Sequence, residues 1–282
     1  MARCLGHPEV LYLSQDVSGA WQSTDGGSTW RKTLDGGLYG DNAQSIAVDP
    51  VNPNVVYIEV DNTYNYRSEL AEGLYRSEDG GDSWERALAT PTNYASGIAR
   101  SYREAIAFDP DFVGLTGARR WYAAFPGNGL YRSEDGGRTF SPDPVAYLNN
   151  HTVIFSVDPA PSSGGTVWLG TDRGLYRFRE GSEELEAVQS NLPAGPVVSV
   201  DIDPRNPEAL FVVVRDKGLY WSGNNGGIFL PLKSYPARRG FLNPAYPETY
   251  FLIGSDRTIV THDGGQTWIE ETASIGHPET GE

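Results

Sequence analysis

Apolar residues along this chain come in short runs that end on Gly, Asn, Asp or Pro. Val55-Val56-Tyr57-Ile58 and Leu210-Phe211-Val212-Val213 are examples. β-branched and aromatic residues between turn formers predict strands. No stretch carries a long helical period, so long helices are not expected. The runs also recur in a fixed order. An apolar run closing on Asp-Pro appears at Ile46-Ala47-Val48-Asp49-Pro50, at Ile106-Ala107-Phe108-Asp109-Pro110, at Phe155-Ser156-Val157-Asp158-Pro159 and at Val200-Asp201-Ile202-Asp203-Pro204. Asn243-Pro244 closes a variant of it. A second run follows, and then a third, such as Gly73-Leu74-Tyr75-Arg76 or Gly174-Leu175-Tyr176-Arg177.

A turn motif comes after the third run. It reads Ser23-Thr24-Asp25-Gly26-Gly27-Ser28-Thr29-Trp30 at its first occurrence. It returns around Asp79 with Trp84, around Asp135 with Phe140, and around Asp263 with Trp268. A decayed copy is Ser222-Gly223-Asn224-Asn225-Gly226-Gly227, and a further copy is lost at Arg177-Phe178-Arg179-Glu180-Gly181-Ser182. Five intervals separate Asp25 from Asp263, about 48 residues each. The residues after each turn supply a fourth strand. Four-stranded units of this length read as propeller blades. The expectation is all-β: a single six-bladed β-propeller domain over residues 1–282 with its ring closed by the N- and C-terminal segments. Ala273-Ser274-Ile275-Gly276-His277-Pro278 resembles the inner strand Ser45-Ile46-Ala47-Val48-Asp49-Pro50. Residues 272–277 are therefore expected to be the innermost strand of the blade built from residues 10–35. The competing reading gives that place to Arg3-Cys4-Leu5.

Charge and composition narrow the partners. The net charge is −15. Phosphate backbones and anionic lipid surfaces need basic patches, so nucleic acid and membrane insertion are not expected. One cysteine excludes an internal disulfide, and the four histidines are scattered. No metal and no cofactor is expected. No apolar leader is visible at the start.

Antiparallel order sorts the loops onto two ends. The turns between first and second strands and between third and fourth strands share one end. The second-to-third turns and the connections between blades share the other. That second end carries the irregular loops and the candidate binding residues. They are Tyr39, Asp41, Tyr64, Tyr66, Tyr94, Tyr102, Glu104, Asp172, Arg173, Asp216, Asp256 and Arg257, together with Asp16. Tyrosine faces stack on pyranose rings, and carboxylates bind hydroxyls. Asp-Arg and Asp-Lys are also ordinary two-residue turn formers, which is the competing reading for Asp172, Asp216 and Asp256.

The Asp-Gly-Gly turns resemble the Asp-box, or BNR, repeat of sialidases, xyloglucanases and sortilin-like proteins. Asp25, Asp79, Asp135 and Asp263 then have a structural role: the carboxylate accepts backbone N–H groups, the Gly pair supplies positive φ, and Trp30, Trp84, Phe140 and Trp268 pack. The run from His7-Pro8-Glu9 through Gln15-Asp16-Val17-Ser18-Gly19-Ala20-Trp21 resembles the opening of the xyloglucan-cleaving endoglucanase family. So do Leu38-Tyr39-Gly40, Asn52-Pro53-Asn54 and Leu74-Tyr75-Arg76-Ser77. The resemblance implies a catalytic role for Asp16 as general base in an inverting hydrolysis. Members of that family carry two seven-bladed propellers, with the acid on the second. Inversion needs a second carboxyl group ~6.5–9.5 Å away. Here it would be Asp41, Glu104, Asp172 or Asp256, or come from another chain. The favoured reading is a binding propeller that recognises a glycan or protein partner on a glycosidase-like scaffold. The alternatives are a β-glucan hydrolase, and a structural component of a larger particle such as a phage virion.

Overall fold

The computed structural model describes residues 1–15, 19–34, 36–38, 42–61, 72–89, 104–125, 127–147, 152, 154–161, 165–243 and 245–271. The chain forms two compact units, residues 1–188 and 189–282. The named strands make six antiparallel blade sheets and one small hairpin.

The first unit holds four sheets. The first is β1 (Ala2–Arg3), β2 (Leu11–Gln15), β3 (Gly19–Ser23) and β4 (Arg31–Lys32), and the second is β5 (Asn42–Val48), β6 (Val56–Asp61), β7 (Gly73–Ser77) and β8 (Glu85–Leu88). The third is β9 (Ile106–Phe108), β12 (Trp121–Phe125) and β13 (Gly129–Ser133), and a separate hairpin of β10 (Val113–Gly114) and β11 (Gly117–Ala118) lies between β9 and β12 in the chain. The fourth strand of this third sheet is reduced to a bridge between Leu130 and Ala146. The fourth sheet is β14 (Ile154–Pro159), β15 (Thr166–Thr171), β16 (Gly174–Arg179) and β17 (Glu186–Ala187). The second unit holds β18 (Val197–Asp203), β19 (Asn206–Val214), β20 (Gly218–Ser222) and β21 (Leu230–Lys233), and then β22 (Arg239–Leu242), β23 (Tyr250–Ile253), β24 (Thr258–Thr261) and β25 (Ile269–Glu271).

The expected inner strand of the first blade is corrected. Ala2 pairs with Tyr12 and Arg3 with Leu11, so the N-terminus itself takes the place beside these residues. The edge of β2 at Leu11 and Tyr12 is thus taken by β1. Residues 272–277 lie outside the described ones.

Within each unit, neighbouring blades pack through aromatic second strands. Tyr57 lies 4.1 Å from Trp121, centroid to centroid, and its hydroxyl donates to the Gly136 carbonyl at 2.6 Å. Tyr12 donates to Pro53 O at 2.8 Å. In the second unit Phe211 stacks on Tyr250 at 5.4 Å. Serines at irregular points of the inner strands add a second link. Ser45 Oγ accepts from Ala105 N, and Ser199 Oγ accepts from Gly240 N. Burying these bulky rings is the main apolar gain, about 1.5–3 kcal/mol for each large side chain.

Candidate functional site

The end assignment from antiparallel order holds blade by blade. In every blade a backbone N–H of the third-to-fourth turn donates to a carbonyl of the first-to-second turn. The pairs are Gly26 to Glu9, Gly80 to Asn54, Gly136 to Arg119, Glu180 to Gly165, Asn225 to Glu208 and Gly264 to Glu248. The fourth blade keeps this bond although its motif is lost.

The motif carboxylates are occupied within their own turns. Asp25 Oδ1 accepts from Thr29 N at 2.8 Å and from Ser23 Oγ at 2.8 Å, and Oδ2 accepts from Thr29 Oγ1 at 2.6 Å. Asp79, Asp135 and Asp263 repeat the set with Ser83, Thr139 and Thr267. Hydrogen bonds from Thr29 hold Asp25 down at about 2, and those from Thr267 do the same for Asp263. Asp79 and Asp135 are also lowered: burial opposes, but the bonds from Ser83 and Thr139 outweigh it. Asn224 keeps the acceptor bond from Ile228 N. Trp30, Trp84 and Trp268 each donate Nε1 to the second Gly carbonyl of their own turn. Phe140 has no such donor and is simply buried.

At the opposite end the described candidates sit on turns. Asp172 and Arg173 are the two-residue connection of β15 and β16, where Arg173 N donates to Thr171 Oγ1. Asp216 belongs to a three-residue turn between β19 and β20, at φ 59°. The expected two-residue form is corrected there, because a left-handed residue closes the longer loop. Asp256 and Arg257 end a loop of four between β23 and β24. Arg257 pairs with Asp256 at 3.4 Å and Glu270 at 3.1 Å, and its carbonyl accepts from Tyr235. Glu104 bridges in parallel to Ser156, exchanging backbone bonds with Phe155 and Val157. Asp16, Tyr39, Asp41, Tyr64, Tyr66, Tyr94 and Tyr102 lie outside the described residues. Among the described residues no three acidic, His or Cys side chains are grouped as metal ligands would be.

Two concavities lie at the other end, beside the Asp-Gly-Gly turns. One of about 410 Å³ is lined by Arg76, Glu78, Glu85, Arg86, Arg138 and Thr139 among others. The other, about 370 Å³, includes Arg132, Glu134 and Phe140. Sequence reasoning singled out neither. It also passed over Glu59, a fully buried carboxyl in β6. A charge inside the apolar run Val55-Val56-Tyr57-Ile58-Glu59-Val60 was the available signal.

No family model matches the chain. Xyloglucanase Xgh74A of Acetivibrio thermocellus is 26% identical over 255 residues, which is 86% of this chain and 27% of that protein. The crystal structure of a GH74 enzyme from Niastella koreensis superposes with TM-score 0.73 at 18% identity, covering 95% of this chain and 44% of that one. This chain has the six-bladed β-propeller fold. YCF48 bound to a D1 peptide shares the fold at TM-score 0.61 and 15% identity, covering 96% of this propeller and 88% of that chain. The propeller is similar to glycosidases, and it spans about a quarter of the length of the curated xyloglucanase.

Proposed function

We propose that this propeller binds a β-glucan across the end that carries the second-to-third turns and the inter-blade connections. The observation that carries the reading is the 26% identity to a xyloglucanase over 86% of the chain. An acidic turn residue supports it, since a carboxylate such as that of Asp172 can accept from sugar hydroxyls. Affinity electrophoresis in gels cast with xyloglucan tests it. Retardation by xyloglucan, absent in gels of an unrelated α-glucan, is the expected result. No retardation, together with a stable protein partner recovered from the source, would favour protein recognition instead.

Hydrolysis is the second reading, and the segment around Asp16 favours it through its likeness to the endoglucanase motif. An inverting enzyme needs a base and an acid on opposite sides of the scissile bond. Asp16 would be the base. A reducing-sugar assay on xyloglucan separates the two readings. Sugar release that disappears in Asp16→Asn, with retardation retained, makes the chain a hydrolase. Retardation without release leaves a binding module.

A further inference from the structure

The groove of about 410 Å³ beside β8 is built from two blades: Arg76, Glu78, Glu85 and Arg86 from the second, Arg138 and Thr139 from the third. Among the described residues, the guanidinium groups of Arg76 and Arg138 are only partly engaged. Arg76 has a side chain 9% exposed. Its Nε donates to Gly136 O at 2.9 Å, and its Nη1 to Glu78 at 2.6 Å. Among the described residues nothing accepts from its Nη2. Arg138 is exposed; it spends Nη1 on the Asp135 carbonyl and Nη2 on the same Glu78 oxygen, at 3.1 and 2.8 Å. Glu78 Oε1 therefore takes both arginines, and each fork keeps N–H groups to spare. A guanidinium has five N–H donors in a fixed plane that suits a carboxylate. Thr139 Oγ1 gives its proton to Asp135, so only its lone pairs remain to accept.

The formal charge of the lining is positive by one, with three arginines against two glutamates, on a chain of net charge −15. Non-specific anion binding is suppressed by that overall charge. The groove can offer a single carboxylate the donors left on Arg76 and Arg138. Its size falls in the range of small-ligand sites. Ala87 is the one apolar side chain of its lining, so it has no pocket for the apolar side chains that peptide recognition uses. We infer that this groove is a binding site for a uronic-acid residue of an acidic saccharide, with Arg76 and Arg138 holding the carboxylate. The inference is independent of the β-glucan reading, which concerns the opposite end of the blades.

Titration calorimetry with D-glucuronate and digalacturonate, against glucose, tests it at low ionic strength and again at high salt. The wild-type chain should prefer glucuronate to glucose by about tenfold, and lose that preference in high salt. Arg138→Ala, an exposed change, should lower the affinity for glucuronate about tenfold, and Arg138→Lys should restore part of it. Asp16→Asn should leave it unchanged. Glucuronate binding no tighter than glucose, or binding unaltered in Arg138→Ala, overturns the site. A short oligoglutamate peptide that binds as well as digalacturonate overturns the sugar assignment.

Discussion

Asp201 occupies an inner-strand position that is Ala47 in the second blade and Ala107 in the third. Its Oδ2 accepts from Tyr250 Oη at 2.6 Å and its Oδ1 from Leu242 N at 3.2 Å, so it ties β18 to β22 and β23. Burial pushes its carboxyl up to about 6 against these two bonds. A raised folded-state value means its contribution to stability is full below the unfolded value near 4 and is lost as pH rises through 6. Asp201→Asn keeps the acceptor for Leu242 and removes the charge. It should raise stability at pH 7 by on the order of 1–2 kcal/mol and leave it unchanged at pH 4. Urea denaturation at the two pH values checks this; a loss at pH 7 would mean the ionised form is the better partner of Tyr250. The tyrosines one strand further out give a matched pair. Tyr57 Oη bonds the next blade, whereas Tyr122 Oη is buried without a hydrogen-bond partner. In the next blade Phe178 of β16 packs edge-on to the Tyr122 ring at 6.5 Å. Tyr57→Phe should cost about 1 kcal/mol, and Tyr122→Phe should cost nothing or stabilise slightly. Equal losses in the two variants, measured by thermal melting, would contradict this account.

The glycines of the Asp-Gly-Gly turns do not all bear the same load; Gly26 is the first of its turn and Gly137 the second of another. Gly26 and Gly137 both have positive φ, 71° and 69°. A methyl at Gly26 meets nothing, whereas one at Gly137 would overlap the Tyr57 ring. Gly26→Ala should therefore cost about 1 kcal/mol for backbone strain. Gly137→Ala should cost that and about 1–3 kcal/mol more for overpacking. Denaturant midpoints of the two variants decide it, and equal midpoints would show that the Tyr57 ring can move aside. The turns, the strand order and the two ends of each blade were legible in the sequence because they are local: a motif, an alternation and a hairpin connection. The inner strand of the first blade was not. Ala2–Arg3 is too short to show a pattern, and Ala273 and Ile275 near the C-terminus imitate the alternation of an inner strand equally well. At the candidate site, sequence put Asp172 and Arg173 on their turn correctly, because turn formers announce themselves. The groove was not legible. Arg76 lies within an ordinary strand, and Arg138 holds a motif position that is Ser28, Asp82 and Gln266 in the other copies. Only the packing of one blade against the next brings the two together.

Carboxylates dominate the response of the whole chain to pH, and they pull in two directions. Asp25, Asp79, Asp135 and Asp263 are held below the usual carboxylate range by hydrogen bonds in their turns. Arg76 does the same to Glu78, and Arg177 to Glu186. A group with a depressed folded-state value stabilises the fold above its unfolded value, near 4, and loses that contribution as pH falls toward 2. Asp109 and Asp201 behave oppositely: burial raises both, so both favour the fold more as pH drops from 7 toward 4. Net charge works in the same direction as these two, because the −15 at neutral pH repels itself and shrinks as carboxylates are protonated. The three effects together predict a stability maximum on the acid side of neutrality. The melting temperature should rise from pH 7 to about 5, then fall steeply below about 4 as the turn aspartates take up protons. Added salt should flatten the rise, by screening the self-repulsion, more than the fall, whose partners are in direct contact. Scanning calorimetry from pH 3 to pH 7 at low and high ionic strength measures both arms. A melting temperature that declines steadily from pH 7 downward would mean that the depressed carboxylates outweigh Asp109, Asp201 and the net charge over the whole range.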